Sequence, residues 1–334
     1  MQAVDSRHFF AKAKQEFLMK QNWITATIFS LAALPSLAGS WVDEQHGNVK
    51  TTLNRWSHSI DNWIGETDPS NPASATLRVM FDNEWNRYDG YSIKPRIRAK
   101  IKLPALKKHL KNLSLVFGDE DLDNQSRDNQ QLHRNYRAPL QGDKKYDRKQ
   151  ARDDNASMAI RWSNGIKSLG IETDLDVGVR SGADIFVRAK ASKLWQVNEQ
   201  YSVRLEQIYR YGSNSKHYLR TNFENKFTET ARRFINNHTY LQYTHDNDEE
   251  LFWGNSLYRQ HTYSNFKRLN YGFNFGGEIE HKKVDLNYYG PFINWRQPIL
   301  RQWLFIQPEV NFYNNRKEDR KHTLGAFLRL EAIF

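Results

Sequence analysis

The chain has 334 residues, of which 39% are hydrophobic, 13% aromatic and none cysteine, and it carries a formal net charge of +11. A mean hydropathy of −0.82 argues against a helical membrane protein, and the lack of cysteine excludes a disulfide framework, a cysteine-ligated metal and a thiol nucleophile. The basic charge does not point to nucleic acid, because the cations alternate with acids along extended segments and are not gathered into an arm or onto one helix face.

The first element is a short apolar run, residues 23–38, WITATIFSLAALPSLA. Lys20 precedes it, and Ser36 and Ala38 are small residues at −3 and −1 of a cleavage site after Ala38. This is the layout of a secretory signal peptide over residues 1–38, with Met19 a more ordinary start. The run is too short for a membrane-spanning helix, and Pro35 interrupts it. Residues 39–72 follow as an N-terminal segment. There Leu53, Trp56, Ile60, Trp63 and Ile64 recur at spacings of three and four, which predicts an amphipathic helix over about 49–65, with Gly65 and Pro69 as stop signals. Lying before the first strand of an exported chain, the helix is expected in the periplasm. It would either cover a barrel mouth or lie on the rim or membrane surface.

From residue 75 the period changes to two. Leu77, Val79, Phe81 and Trp85 alternate with Arg78, Met80, Asp82 and Glu84. In the next strand Tyr91, Ile93, Ile97, Ala99 and Ile101 alternate with Lys94, Arg96, Arg98, Lys100 and Lys102, which puts five cations on one face. Strands around Leu113–Phe117 and Ala156–Trp162 follow. Then Glu172, Asp174 and Asp176 face opposite Leu175 and Val177, Arg188 and Lys190 opposite Val187 and Ala189, and Arg204, Glu206 and Arg210 opposite Leu205 and Tyr209. A strand around Leu219–Phe223 precedes two segments, 234–245 and 250–262, that alternate poorly. Further strands are expected around Leu269–Phe275, around Val284–Phe292 with Val284, Leu286, Tyr288 and Phe292 on one face, and around Leu304–Phe312. The last puts Ala326, Leu328, Leu330, Ala332 and Phe334 outward and Arg329 and Glu331 inward.

The pattern predicts an all-β fold, a transmembrane antiparallel barrel of about fourteen strands, with twelve as the alternative, over residues 73–334. Lipid satisfies no open strand edge, so a spanning sheet must close. An even count puts both barrel ends in the periplasm and the longest connection, 119–155, outside. Asn164-Gly165 reads as a tight periplasmic turn.

The ending LGAFLRLEAIF, apolar at alternate positions back from Phe334, resembles the C-terminal β-signal of bacterial outer-membrane proteins. The resemblance implies location in a Gram-negative outer membrane, with Leu328, Leu330 and Phe334 read by the barrel assembly machinery. More narrowly, residues 47–334 resemble a set of uncharacterised proteobacterial outer-membrane barrels. The resemblance rests on DNWIG, on IKPRIRAKIKLP followed by LSLVFGDED, and on RQWLFIQPEVNF. It implies a barrel and no particular activity.

Three constellations could carry chemistry. Asp82, Glu84, Lys94, Arg96, Arg98, Lys100, Glu172, Asp174, Asp176, Arg204, Glu206, Arg210, Arg329 and Glu331 would line a lumen, either as a charged pore or as salt bridges that stiffen the barrel. The loop 119–155 opens with Asp119, Glu120, Asp121 and Asp123 and closes with Lys144, Lys145, Arg148, Lys149 and Arg152. Carboxylates could hold Ca²⁺ there, but the spacing lacks the glycine and distal glutamate of an EF-hand, and a solvated loop suits it better. His245-Asp246-Asn247-Asp248 at an outer loop could activate water in a lipid or peptide hydrolase, although no serine segment matches it. No cofactor, metal or catalytic residue is expected from these patterns. The expected partners are outer-membrane lipid, lipopolysaccharide and the assembly machinery. The expected role is a porin-like path, with a structural or surface-interaction barrel as the alternative.

Overall fold

The computed structural model describes residues 38–64, 73–104, 112–118, 146, 148–245, 250–264 and 266–334. The segment 1–37, Gly65, Pro69, the acids Asp119–Asp123 and the run Asp246–Asp248 lie outside them. The chain falls into two compact units, Met1–Leu53 and Asn54–Phe334. Helix α1, Ala38–Ile64, begins well before the expected position, because Val42 and Val49 extend the spacing that continues through Leu53, Trp56 and Ile60.

The strands are β1 Ser74–Asn86, β2 Gly90–Lys102, β3 Leu113–Gly118, β4 Met158–Ile166, β5 Ile171–Arg180, β6 Asp184–Gln196, β7 Tyr201–Gly212, β8 Lys216–Thr230, β9 Arg233–Thr244, β10 Glu250–Thr262, β11 Arg268–Glu280, the two-residue β12 Lys283–Val284, β13 Tyr288–Ile299, β14 Arg301–Asn315 and β15 Arg320–Ile333. Each pairs antiparallel with its sequence neighbour, except that β11 passes the short β12 to pair with β13. β15 returns to β1, with Arg78 opposite Ile333 and Asn86 opposite Gly325. The sheet therefore closes into a barrel of fourteen strands, with β12 a small ladder on the β11–β13 connection. Leu77 and Phe334 exchange backbone bonds of 3.1 and 2.8 Å, so both barrel termini lie at one end.

Alternation sorts the two faces. Leu175, Val187, Leu205, Leu219, Leu257, Phe273, Ile293 and Val310 are exposed on the outside, while Asp82, Asp176, Arg188, Glu206, Asn274, Gln307 and Arg329 are buried inside. The core of this molecule is thus its polar inner face, with apolar clusters among the described residues at Val116, Ala159 and Phe186 and at Tyr258, Phe292, Tyr313 and Phe234.

Two expectations need correction. Asn164 and Gly165 are not a turn. They pair with Thr173 and Glu172 inside the β4–β5 ladder, and the chain reverses over Lys167–Leu169, with Gly170 in the left-handed region. Tyr288 and Phe292 do not share a lipid face with Val284 and Leu286. β13 starts at Tyr288 and buries Phe292 inside against Tyr258 and Tyr313, leaving Ile293 outside. The segments that alternate poorly form regular strands, β9 and β10.

Candidate functional site

The charged residues singled out from the sequence fall on one continuous arc of the inner wall, running from β15 through β1 and on to β7. There the structure brings them into clamps in which a buried carboxylate sits between two cations. Asp82 accepts two bonds from Arg329, at 2.6 and 2.7 Å, and lies 3.7 Å from Arg96. Asp176 is gripped from both neighbouring strands, by Arg161 at 2.7 Å through both oxygens and by Arg188 at 3.0 Å. Glu206 takes Lys190 at 2.8 Å and Arg204 at 3.2 Å, with Asn222 donating at 3.0 Å. Glu331 takes Arg78 at 2.8 Å and Arg296 at 2.8 Å.

The register produces these clamps. Asp176 lies opposite Arg161 on one side and Arg188 on the other, so an acid on a middle strand meets both neighbours. A carboxylate that is 1–2% exposed, as Glu206, Asp176 and Glu331 are, is costly unless it is paired and hydrogen-bonded. Two cations per acid leave each clamp net positive. Arg78, Arg161, Arg188, Lys190 and Arg296 belong to these clamps but were not singled out from the sequence. Alternation placed several of them on the inner face, yet only the strand order shows which acid each one meets.

The remaining sequence candidates are on the same arc but outside the four clamps. Lys94 reaches Asp154 at 2.9 Å, Asp174 accepts from the Ser163 hydroxyl at 2.6 Å, and Arg98 donates to the Gly118 carbonyl at 3.3 Å. The Arg210 guanidinium sits over the Tyr218 ring, 5.0 Å from its centre. Glu84 and Lys100 are half-buried, and Glu172 is exposed near the end that carries the termini. Leu328 and Leu330 face outward on β15, and the Phe334 ring lies 6.0 Å from that of Trp303.

The opposite arc, β9 to β13, differs in kind. Its mid-strand inner positions hold Asn236, His238, Gln242, Ser256, Gln260, Asn270, Asn274 and Asn294, all buried and none a permanent ion. Asn236 donates to the Tyr258 hydroxyl at 3.0 Å and Asn274 to the Tyr313 hydroxyl at 2.7 Å. Across four strands, Tyr240, Gly254, Gly276 and Tyr288 form one row. The two rings lean over the two glycines until their hydroxyls are 3.4 Å apart. A Cβ on Gly254 would come 2.6 Å from the Tyr240 ring, and one on Gly276 would come 2.6 Å from the Tyr288 hydroxyl. The wall is thus ionic on one side and, in mid-strand, neutral on the other, where Arg268 and Arg296 lie opposite one another only towards the end that carries the termini.

At the end of the barrel away from the termini, β3 stops early. Gly118, at φ +92°, turns away where a Cβ would lie 1.9 Å from the Ile97 carbonyl. Helix α2, Arg148–Asn155, takes over at the open edge of β2. Asn155 Oδ1 accepts from the Ile97 amide at 2.6 Å, and its Nδ2 donates to the Pro95 carbonyl at 2.9 Å. This is the described part of the long connection. On a neighbouring connection Asp184 accepts from Ser213, Asn214, Ser215 and Arg180 and ties two loops together. His245 packs edge-on to His217, with its Nδ1 3.3 Å from the Tyr243 hydroxyl. In the β14–β15 turn, Lys317 bonds Glu278 at 2.6 Å, which holds its ammonium above the ordinary lysine range. Among the described residues no cluster of metal-ligating side chains is present.

A closed fourteen-stranded antiparallel barrel with an apolar outer face and an ion-paired inner wall is the class this fold defines. No family model matches the chain, and no curated protein does. Among solved structures it is similar to a loop-deletion mutant of OmpT, an outer membrane protein of Vibrio cholerae, with 8% identity and a TM-score of 0.47 over 78% of this chain and 99% of that one. It is also similar to the outer membrane channel DcaP of Acinetobacter baumannii, with 8% identity and a TM-score of 0.42 over 81% and 99%. A third is OprB of Pseudomonas putida, with 12% identity and a TM-score of 0.45 over 78% and 92%.

Proposed function

We propose that the chain is an outer-membrane β-barrel that serves as a narrow, porin-like path for small polar solutes. The observation that carries this reading is the closed wall with its two faces sorted, apolar outside and polar inside. Apart from β3, the barrel strands run 9–15 residues, at or above the roughly 9–11 that a tilted strand needs to cross hydrocarbon. In this reading residues 1–38 are removed on export, Leu328, Leu330 and Phe334 serve assembly, and lipopolysaccharide and outer-membrane lipid surround the wall. In the same reading an even strand count goes with both barrel termini in the periplasm and α2 on the outer side. Because cations outnumber acids in the clamps, the path favours anions. Planar-bilayer recording of folded protein tests the proposal. Discrete conductance with anion preference is expected, and no current above background would overturn it.

The clamps also favour a second reading, a structural barrel whose interior is cross-linked. Carboxylates at 1–2% exposure, each held by two cations, stiffen the wall whether or not anything passes it. Liposome swelling separates the two, since a purely structural barrel gives no solute-dependent swelling.

A further inference from the structure

The outer face is apolar in mid-strand around most of the barrel, as at Leu175 and Val177 of β5, Val187 of β6, Ile293 of β13 and Val310 of β14. It changes on β7–β10. There Gln207, Thr221, Asn225, Asn237, Thr239 and Asn255 occupy outward positions, in register with Leu205, Phe223, Leu241 and Leu257 on the same face. This is why β9 and β10 alternate poorly in sequence.

Hydrogen bonds tie these side chains in place. Thr221 donates to Gln207 at 2.8 Å, Tyr201 donates to Asn225 at 2.7 Å, and Asn255 Nδ2 donates to both Asn237 and Thr239 at 2.7 Å. Asn225 and Asn237 lie directly opposite one another across the β8–β9 ladder. Their own Nδ2 groups have no acceptor among the described residues, and both residues are half-buried, so the two amides face outward. Lipid tails offer neither donor nor acceptor, so unsatisfied amides at this depth are costly. An occupant must therefore bring hydrogen-bonding groups to mid-strand depth and apolar surface around them. A carboxamide is both donor and acceptor, so a second patch of the same composition meets that need. The rim of Leu205, Phe223, Leu241 and Leu257, each 39–45% exposed, supplies the packing surface.

We propose that the outward face of β7–β10 is a self-association surface, at which a second copy of this chain docks through the same patch about a two-fold axis. This goes beyond the transport reading and holds for a conducting or a closed barrel. The chain has no cysteine, so an Asn237→Cys variant reports contact directly. In vesicles of defined lipid, Asn237→Cys is expected to form disulfide dimers readily, while a Val310→Cys control on β14 does not. Sedimentation in detergent should show wild type above monomer mass. The Asn225→Leu/Asn237→Leu/Asn255→Leu variant should raise the monomer ratio roughly tenfold or more while keeping the heat-modifiable band of a folded barrel. Monomeric wild type at every protein-to-lipid ratio would overturn the proposal and point to lipid or another protein as the occupant. Equal cross-linking at positions 237 and 310 would overturn it too. If the triple variant fails to fold, the cysteine pair still decides.

Discussion

Arg329 of β15 grips Asp82 of β1 through two parallel bonds, Nε to Oδ1 at 2.6 Å and Nη2 to Oδ2 at 2.7 Å. The residues are directly opposite in the ladder that joins the last strand to the first. The fork therefore locks the one seam that local hairpins cannot close.

Arg329→Met is expected to destabilise the folded barrel by about 3 kcal/mol, because it takes two close bonds from the buried Asp82 carboxylate and leaves Arg96 beside it, 3.7 Å away. Asp82→Leu/Arg329→Met should regain part of that loss, the remainder being the cost of taking the carboxylate away from the buried Arg96. Urea unfolding in lipid vesicles measures both. A double variant no more stable than the single would show that the seam does not depend on this pair.

Gly276→Ala should cost more than Gly254→Ala. At position 254 the nearest atoms to the new Cβ belong to the Tyr240 side chain, which can swing inward, whereas at 276 it also lies 2.6 Å from the Trp253 backbone carbonyl. Overpacking of this kind costs about 1–3 kcal/mol. Unfolding midpoints of the two variants provide the comparison, and equal midpoints would contradict the assignment.

Asn155→Ala removes the side chain that stands in for the missing β3 ladder at Ile97 and Pro95. A loss of about 1–3 kcal/mol is expected, confined to this edge. Hydrogen exchange should speed up at the Ile97 amide while the β7–β8 ladder keeps its protection. Uniform acceleration would mean that Asn155 acts on the whole barrel.

Lys190→Glu/Arg204→Glu reverses both cations that hold Glu206. If the ionic arc sets preference, the reversal potential moves toward cations and the permeability ratio changes by roughly twofold or more. A conducting variant with unchanged reversal potential would place the ionic arc outside the conduction path.

The amino-acid order alone carried the barrel, because period-two alternation is a local property of each strand and an even count follows from adding strands up. It also placed Asp82, Asp176, Glu206 and Arg329 on the inner side. Two local readings failed for local reasons. Asn164-Gly165 has turn composition but lies in a ladder that continues through Ile166, before the actual reversal over Lys167–Leu169. The apolar residues Tyr288 and Phe292 share a parity with Val284 and Leu286, but the irregular β12 breaks that continuity.

What tertiary structure alone decided is which charge meets which. Glu331 lies between Arg78 and Arg296, partners distant in sequence that register brings within 2.8 Å, and no spacing rule reports such a pairing. Closure also divides the inner wall into an ionic arc and an amide arc, and gathers Asn225, Asn237 and Asn255 from three strands into one outward patch. Alternation assigns each side chain to a face, but only the ladder's register and the meeting of β1 with β15 assign it neighbours.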